Sequence, residues 1–437
     1  MKIKFIYPKF DKFLETYSEL AEMPSIAAMW AFTMPPALGI PIMVNLTPSE
    51  IEWSIQDQNV EEIDFEDDSD LIAISYFTPQ ASYAYKIGDE FIERGKTVIS
   101  GGMHPSMFPK EALFHSHSIC IGEVETLWSA ILTDFKNGQL KSVYKNEKPP
   151  APNEICAPKA NVFNHEKYDW HASIVSVTRG CPYNCNWCNI PIYQGKKIRF
   201  RPLDILSEEI RQLPGKEFYI ADDTIMLNRE EITNYLMELC KCIKDYDLSM
   251  FLSCSPAMNS DSTFLRSLAD AGTKNLYMVF ASDAISQMFY TGNKAVFEKC
   301  VDLVKKIEDN GIRFFGSFSV GFDFADENQF DLILEFCEKA GVKTAEFFIA
   351  TPFPNTPFWH EMKEKKRLIL PLRWEKYNGA NVVFKPIAIT ENKLLEGFLS
   401  LWKDFYRNVN YNNVLSTFPS LYRKASNIID DKKYSKK

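Results

Sequence analysis

Strand-like and helix-like stretches alternate along almost the whole chain, and that rhythm leaves few folds open. Short apolar runs ending in glycine or a small polar residue fall at 2–7, 52–55, 71–75, 97–100 and 118–121, with helical spacing at 11–21, 81–94 and 125–135. Strands separated by helices pair in parallel, because each crossover returns the chain in the same direction. The run Leu71-Ile-Ala-Ile-Ser75 has no polar side and should be covered on both faces. Residues 34–41, Met-Pro-Pro-Ala-Leu-Gly-Ile-Pro, read as a rigid loop. Lys148-Pro-Pro-Ala-Pro-Asn153 and Pro158 read as an extended, stiff linker. The rhythm then resumes, with strands expected at 173–177, 217–221, 250–253, 275–281, 313–320 and 344–349. Helices over 202–212, 229–244, 262–271, 295–310 and 327–339 fill the gaps. Six such units are too few to close an eight-stranded barrel. Beyond residue 359 the chain reads as helical or irregular, with a strand-like piece at 381–384 and a helix over 391–406.

The 437 residues allow two domains and an appendage. A net charge of −9 argues against a general nucleic-acid or anionic-membrane surface; only the tail after Asp430 is locally basic. The most apolar window, 25–44, contains Pro35, Pro36 and Pro41, which would break a membrane-spanning helix, and no export signal is visible at the start. Of the ten cysteines, Cys120, Cys254 and Cys337 sit singly in apolar surroundings as core thiols. Cys240 and Cys242 lie two apart on an expected helix and do not face one another. Scattered thiols in a long chain fit a reducing cytoplasm.

Three cysteines are different. Cys181-Pro-Tyr-Asn-Cys185-Asn-Trp-Cys188 follows the apolar run 174–177 and Gly180, so all three lie on a loop at the end of a strand. A structural zinc site wants four closed ligands, yet the next cysteine downstream is Cys240 and the nearest histidine is His171. Three thiolates can hold three corners of a [4Fe-4S] cluster and leave one iron open. Parallel sheets also take their ligands beyond the carboxyl ends of their strands. In the first half those ends carry Thr78-Pro79, Gly101-Gly102-Met103-His104-Pro105 and Gly122-Glu123-Val124-Glu125. In the second they carry Asp222-Asp223-Thr224, Ser253-Cys-Ser255, and Ser317, Ser319 and Asp323. No G-x-G-x-x-G follows the first strand, which disfavours a dinucleotide.

The cysteine spacing, with aromatic Trp187 before the third cysteine, resembles the signature of radical S-adenosylmethionine enzymes. The strand ends of the first half are similar to the domain that precedes the core in their cobalamin-dependent (class B) members. The resemblance implies an α/β architecture: a Rossmann-like cobalamin-binding domain at 1–148, a linker at 149–170, an open (β/α)6 partial TIM barrel at 171–362, and a small, mainly helical region at 363–437 over the substrate. It implies a [4Fe-4S] cluster on Cys181, Cys185 and Cys188, with S-adenosyl-L-methionine chelated to the open iron beside Trp187. Asp222 and Asp223 would meet its methionine part, and Ser253, Ser255 and Ser319 its ribose and adenine. Thr78 and Pro79 would lie beneath the cobalamin ring, whose tail would run by Gly101 and Gly102, with Gly122 and Glu123 nearby. His104 would be either a cobalt ligand or a loop histidine capping backbone.

The chain departs from the pattern in two places. Asp57-Gln-Asn-Val60 stands where other cobalamin proteins have D-x-H-x-x-G, and Val279-Phe-Ala-Ser-Asp283 stands where relatives have Gly-Phe-Glu-Ser. Arg199-Phe-Arg201 matches a basic pair in relatives and reads either as a counter-charge for the cosubstrate or cluster, or as a surface pair. The activity implied is methyl transfer to an unactivated carbon of a small-molecule or lipid-like substrate, with flavodoxin or ferredoxin as electron donor. Competing readings are a radical cyclisation or rearrangement enzyme and a non-catalytic cobalamin sensor or carrier.

Overall fold

The computed structural model describes residues 1–30, 36, 38–163, 165–168, 173–222, 226–410 and 412–414. Its strands are β1 (Lys2–Tyr7), β2 (Glu52–Asp57), β3 (Leu71–Ser75), β4 (Thr97–Gly101), β5 (Ser118–Ile121), β6 (Val143–Lys145), β7 (Ser173–Val175), β8 (Thr178–Arg179), β9 (Arg199–Phe200), β10 (Glu217–Ile220), β11 (Ser249–Cys254), β12 (Thr273–Phe280), β13 (Arg313–Val320) and β14 (Ala345–Ile349). They form two six-stranded parallel sheets and one small antiparallel pair, β8 with β9.

The first sheet runs β2-β1-β3-β4-β5-β6. The chain leaves β1 toward one edge to make β2, then returns to lay β3 on the other side of β1. That reversal opens a crevice beyond the ends of β1 and β3, where connections diverge to opposite faces. The apolar run of β3 is covered throughout, as its composition demands. The second sheet runs β7-β10-β11-β12-β13-β14, each βα unit adding a strand at the same edge. Its core is packed with rings: Phe280 stacks on Phe318 at 4.9 Å, and Phe336 packs against both, at 5.5 and 5.9 Å.

The expected strand at 173–177 is cut short. Asp222 accepts hydrogen bonds from Val177 N and Thr178 N, so this backbone cannot continue the ladder, and β8 pairs with β9 instead. The expected helix at 11–21 is a four-residue turn, Phe13–Thr16, followed by a 3-10 turn. The expected rigid loop ends in a helix, Gly39–Leu46, with Pro41 in its first turn, where a missing N–H costs little; Met34 and Pro35 lie outside the described residues. The helix placed at 125–135 begins at Trp128. β6 is short and exposed on alternate residues, so no apolar pattern announced it. The piece at 381–384 makes only a single bridge, Leu368 to Phe384. Among the described residues no helix is long and apolar enough to cross a membrane.

The region after β14 packs against both halves. Its helix Glu391–Tyr406 packs Trp402 against Phe347 of β14 at 5.1 Å and against Phe13 at 5.0 Å. Upstream, Trp374 enters the core of the first sheet and donates to Glu111. Replacing fully buried Trp402 by alanine therefore removes contacts on both sides of this joint. Trp402→Ala should lower the unfolding free energy by about 3–5 kcal/mol, read as a fall in the urea midpoint; a loss below about 1 kcal/mol would show the joint is not a stabilising contact.

Candidate functional site

A cavity of about 470 Å³ lies between the first sheet and the cysteine loop. One wall is Tyr7 at the end of β1, Ser75 to Pro79 after β3, and Gly102 after β4. The other is Trp187, Cys188, Asn189, Tyr193 and Phe353. The crevice set by the strand reversal and the loop set by the cysteines thus open into the same space. Two glycines let the walls close up. A Cβ on Gly102, whose φ is +101°, would sit 2.6 Å from Tyr76 O, and one on Gly39 would sit 3.0 Å from Ser75 Oγ.

The cysteine loop is pinned from several sides. Cys181 N donates to Gly195 O at 3.0 Å, Gly180 N to Gln194 Oε1 at 2.8 Å, and Phe358 N to Asn186 O at 2.9 Å. Gly180 is required here: its φ is +89°, and a Cβ would stand 2.3 Å from Lys197 O. Cys181 is buried and Cys185 and Cys188 are half-buried. Burial pushes the Cys185 thiol up to about 11, so metal binding there would release a proton. Among the described residues no three Cys, His, Asp or Glu side chains stand close enough to share one metal ion. A four-iron cluster does not ask for that, because each thiolate holds a different iron. Three soft thiol donors on one loop, with Cys188 facing the cavity, fit such a group; the apolar cavity wall with its close glycine approaches fits a large flat one.

Other expected site residues are placed as follows. Thr78 and Pro79 are buried in a short 3-10 turn and line the cavity, as does Gly102. Gly101 carries the strand to that point, its carbonyl accepting from Tyr76 N at 3.1 Å. Gly122 O accepts from Tyr193 at 3.2 Å, tying the end of β5 to the cysteine loop. Trp187 packs against a satellite core with Ala281, Phe322, Ala350 and Phe358. Ser253 bonds Tyr219, Ser255 caps Ala257 N, and Ser319 is nearly buried on β13. Asp223 lies outside the described residues.

The structure gives partners within the chain to four groups of expected site residues. His104 neither caps backbone nor offers a free nitrogen: its Nε2 meets Tyr85 at 2.9 Å and its Nδ1 meets Thr78 Oγ1 at 3.3 Å, deep against Trp374. Burial drives its pKa down to about 3, so it stays neutral. Arg199 and Arg201 are neither a surface pair nor free counter-charges; they are 7% and 1% exposed and already paired. Arg201 binds Glu209 and Ser176 O. Glu123 is not a ligand-facing carboxylate: it receives Arg179 at 2.6 Å and Arg199 at 2.6 and 3.2 Å, while Glu125 also pairs with Arg179 at 2.6 Å. Asp222, 4% exposed, likewise holds Val177 N, Thr178 N and Thr178 Oγ1. Sequence reasoning missed Tyr7, Tyr193 and Phe353. Tyr7 ends the strand next to the crevice, so a correct strand order would have found it.

The description "Radical SAM superfamily" matches residues 175–337. Bacteriochlorophyllide d C-8(2)-methyltransferase of Chlorobaculum tepidum is 30% identical over 404 residues, covering 86% of this chain and 87% of that protein. The C-12(1)-methyltransferase of the same organism is 29% identical, covering 77% and 75%. The solved radical S-adenosylmethionine methyltransferase TsrM of Kitasatospora setae, with tryptophan and a S-adenosylmethionine analogue bound, superposes with a TM-score of 0.70 at 15% identity over 100% of both chains. OxsB, solved with aqua-cobalamin, gives 0.64 at 14% identity over 92% of this chain and 67% of its own. The chain belongs to the radical S-adenosylmethionine superfamily.

The ion cluster generates a test. Glu123→Ala leaves Arg199 buried with only the carbonyls of Pro150 and Gln194. Stability should fall by about 3–5 kcal/mol, measured by denaturant unfolding; a change within about 0.5 kcal/mol would show that the cluster contributes nothing.

Proposed function

We propose that this member of the superfamily methylates an unactivated carbon of a flat, partly apolar small molecule or lipid-like substrate, using a [4Fe-4S] cluster, S-adenosylmethionine and cobalamin. The observation that carries the reading is the shared cavity: the crevice of the first sheet and the cysteine loop line one space. The bacteriochlorophyllide d in the names of the two Chlorobaculum relatives supports the flat, apolar class. The reading takes the first sheet as a Rossmann-like cobalamin domain over 1–148, joined by 149–170 to an open partial barrel over 171–362, with 363–437 covering the substrate.

When bound, the cluster supplies an electron that cleaves S-adenosylmethionine to a hydrogen-abstracting radical, and cobalamin supplies the methyl group. The chain's own residues hold and shield. Cys181, Cys185 and Cys188 would carry the cluster. Thr78, Pro79 and Gly102 would floor the cobalamin, with Gly101 and Gly122 shaping the strand ends beside it. Ser253, Ser255 and Ser319 would offer hydroxyls to the cosubstrate. Asp222 acts through the backbone it holds, fixing where the cysteine loop starts. Trp187, Phe353 and Tyr7 exclude water, which a carbon radical requires more than it requires any base.

Reduced, cofactor-loaded protein should form one S-adenosylhomocysteine and one 5′-deoxyadenosine per methylated product, by liquid chromatography and mass spectrometry. Deoxyadenosine without S-adenosylhomocysteine would replace this reading by cyclisation or rearrangement; no cleavage at all would point to a sensor or carrier. Cys181→Ala, Cys185→Ala and Cys188→Ala should each abolish the visible iron–sulfur absorbance. Unchanged absorbance would remove the proposed ligand set.

A further inference from the structure

The second sheet carries a polar layer of which the methyl-transfer reading uses only Ser253. Tyr219 on β10 bonds Ser253 on β11, and Ser253 is in register with Tyr277 on β12. The Tyr277 hydroxyl donates to Glu346 on β14 and lies 2.9 Å from Ser317 Oγ on β13. Ser317 in turn donates to the same carboxyl oxygen at 3.4 Å. Five neighbouring strands thus contribute to one layer.

Glu346 stands out in it. Among the described residues its only hydrogen-bond donors are these two hydroxyls, both on Oε1, and no lysine, arginine or histidine pairs with it. The side chain is deep, yet the residue keeps part of its surface open. The titratable groups that bear on it are phenols: Tyr277 on β12, Tyr219 beyond it, and Tyr406 from the helix Glu391–Tyr406. Burial raises its pKa from 4.5 to about 7, against the lowering effect of Tyr277 and Ser317. A buried carboxylate without a counter-charge attracts one. Tyr277, which donates to it, packs edge-to-face on Phe315 at 5.2 Å, and aromatic rings also attract cations.

We propose that Glu346, Tyr277 and Ser317 form a binding site for an onium group, ammonium or sulfonium, of a small molecule held inside the second sheet. The site goes beyond the methyl-transfer reading and rests on it only for one source of that charge, the sulfonium of S-adenosylmethionine. The other source is an amine on the methyl acceptor.

A cation binds the ionised carboxylate, which predominates above the folded pKa, so affinity rises with pH. With a midpoint near 7, affinity should increase about tenfold between about pH 6 and about pH 8. The experiment is calorimetric titration of the cofactor-loaded protein at both pH values with tetramethylammonium and, separately, with S-adenosylmethionine. Iron–sulfur absorbance is recorded in parallel, so that a lost cluster is not mistaken for a lost onium site. The rise is expected with at least one probe and should vanish in Glu346→Gln. A rise with S-adenosylmethionine alone assigns the site to the cosubstrate; a rise with tetramethylammonium assigns it to a substrate amine. Tyr277→Phe removes a donor that favours the ionised form, so the rise should move to higher pH; this arm decides the matter should Glu346→Gln not fold. A flat profile with both probes, or the same rise in Glu346→Gln, overturns the proposal.

Discussion

Everything near the cavity depends on a cluster of four buried charges. Glu123 and Glu125 come from the end of β5 in the first sheet; Arg179 is the last residue of β8, two before Cys181, and Arg199 is the first residue of β9. None can sit in this low-dielectric interior alone, and each is matched by an opposite charge. The pairing is directional, since two planar guanidinium groups approach one carboxylate from different strands. It therefore fixes the orientation of the cysteine loop against the strand ends of the other half. An apolar interface of equal area would hold the halves together but leave them free to slide.

How far the sequence disclosed this differs by element. The βα rhythm gave both sheets, and the spacing of Cys181, Cys185 and Cys188 marked the loop, because both signals are local. β3 and β13 could be read to within a residue for the same reason. The partners of Glu123, Arg199, Asp222 and His104 are set by tertiary contact over tens of residues, and no local pattern encodes them. Glu123 followed a glycine at a strand end and so read as ligand-facing; its guanidinium partners are 56 and 76 residues away. The same holds for Asp222, whose nearest acceptor task, capping a following helix, is replaced by holding a backbone 44 and 45 residues upstream. The short edge strand β6 was missed because an exposed three-residue strand leaves almost no periodicity.

The tied-up charges explain the character of the cavity. Arg179 and Arg199 are paired with glutamates, Arg201 with Glu209, Asp323 with Arg367, and Asp283 with the N–H groups that open the helix Ala284–Tyr290. Among the described residues the cavity lining is aromatic, aliphatic, glycine, hydroxyl, amide and one thiol, with no Asp, Glu, Lys, Arg or His. Hydrogen abstraction from carbon and methyl transfer to a carbon radical move no proton to or from a side chain in the cavity, so an acid or base there would add only hydration and side reactions. Charges placed behind the wall, neutralised in pairs, can shape the loop without bringing water to it. Three deep carboxyls have no side-chain cation among the described residues: Asp57 accepts from Asn59 and Tyr168, Asp222 from Val177 and Thr178, and Glu346, in the second sheet, from two hydroxyls. Of the three, Glu346 alone accepts from no N–H group among the described residues, so its negative charge is the least compensated and is the one a bound onium group would match.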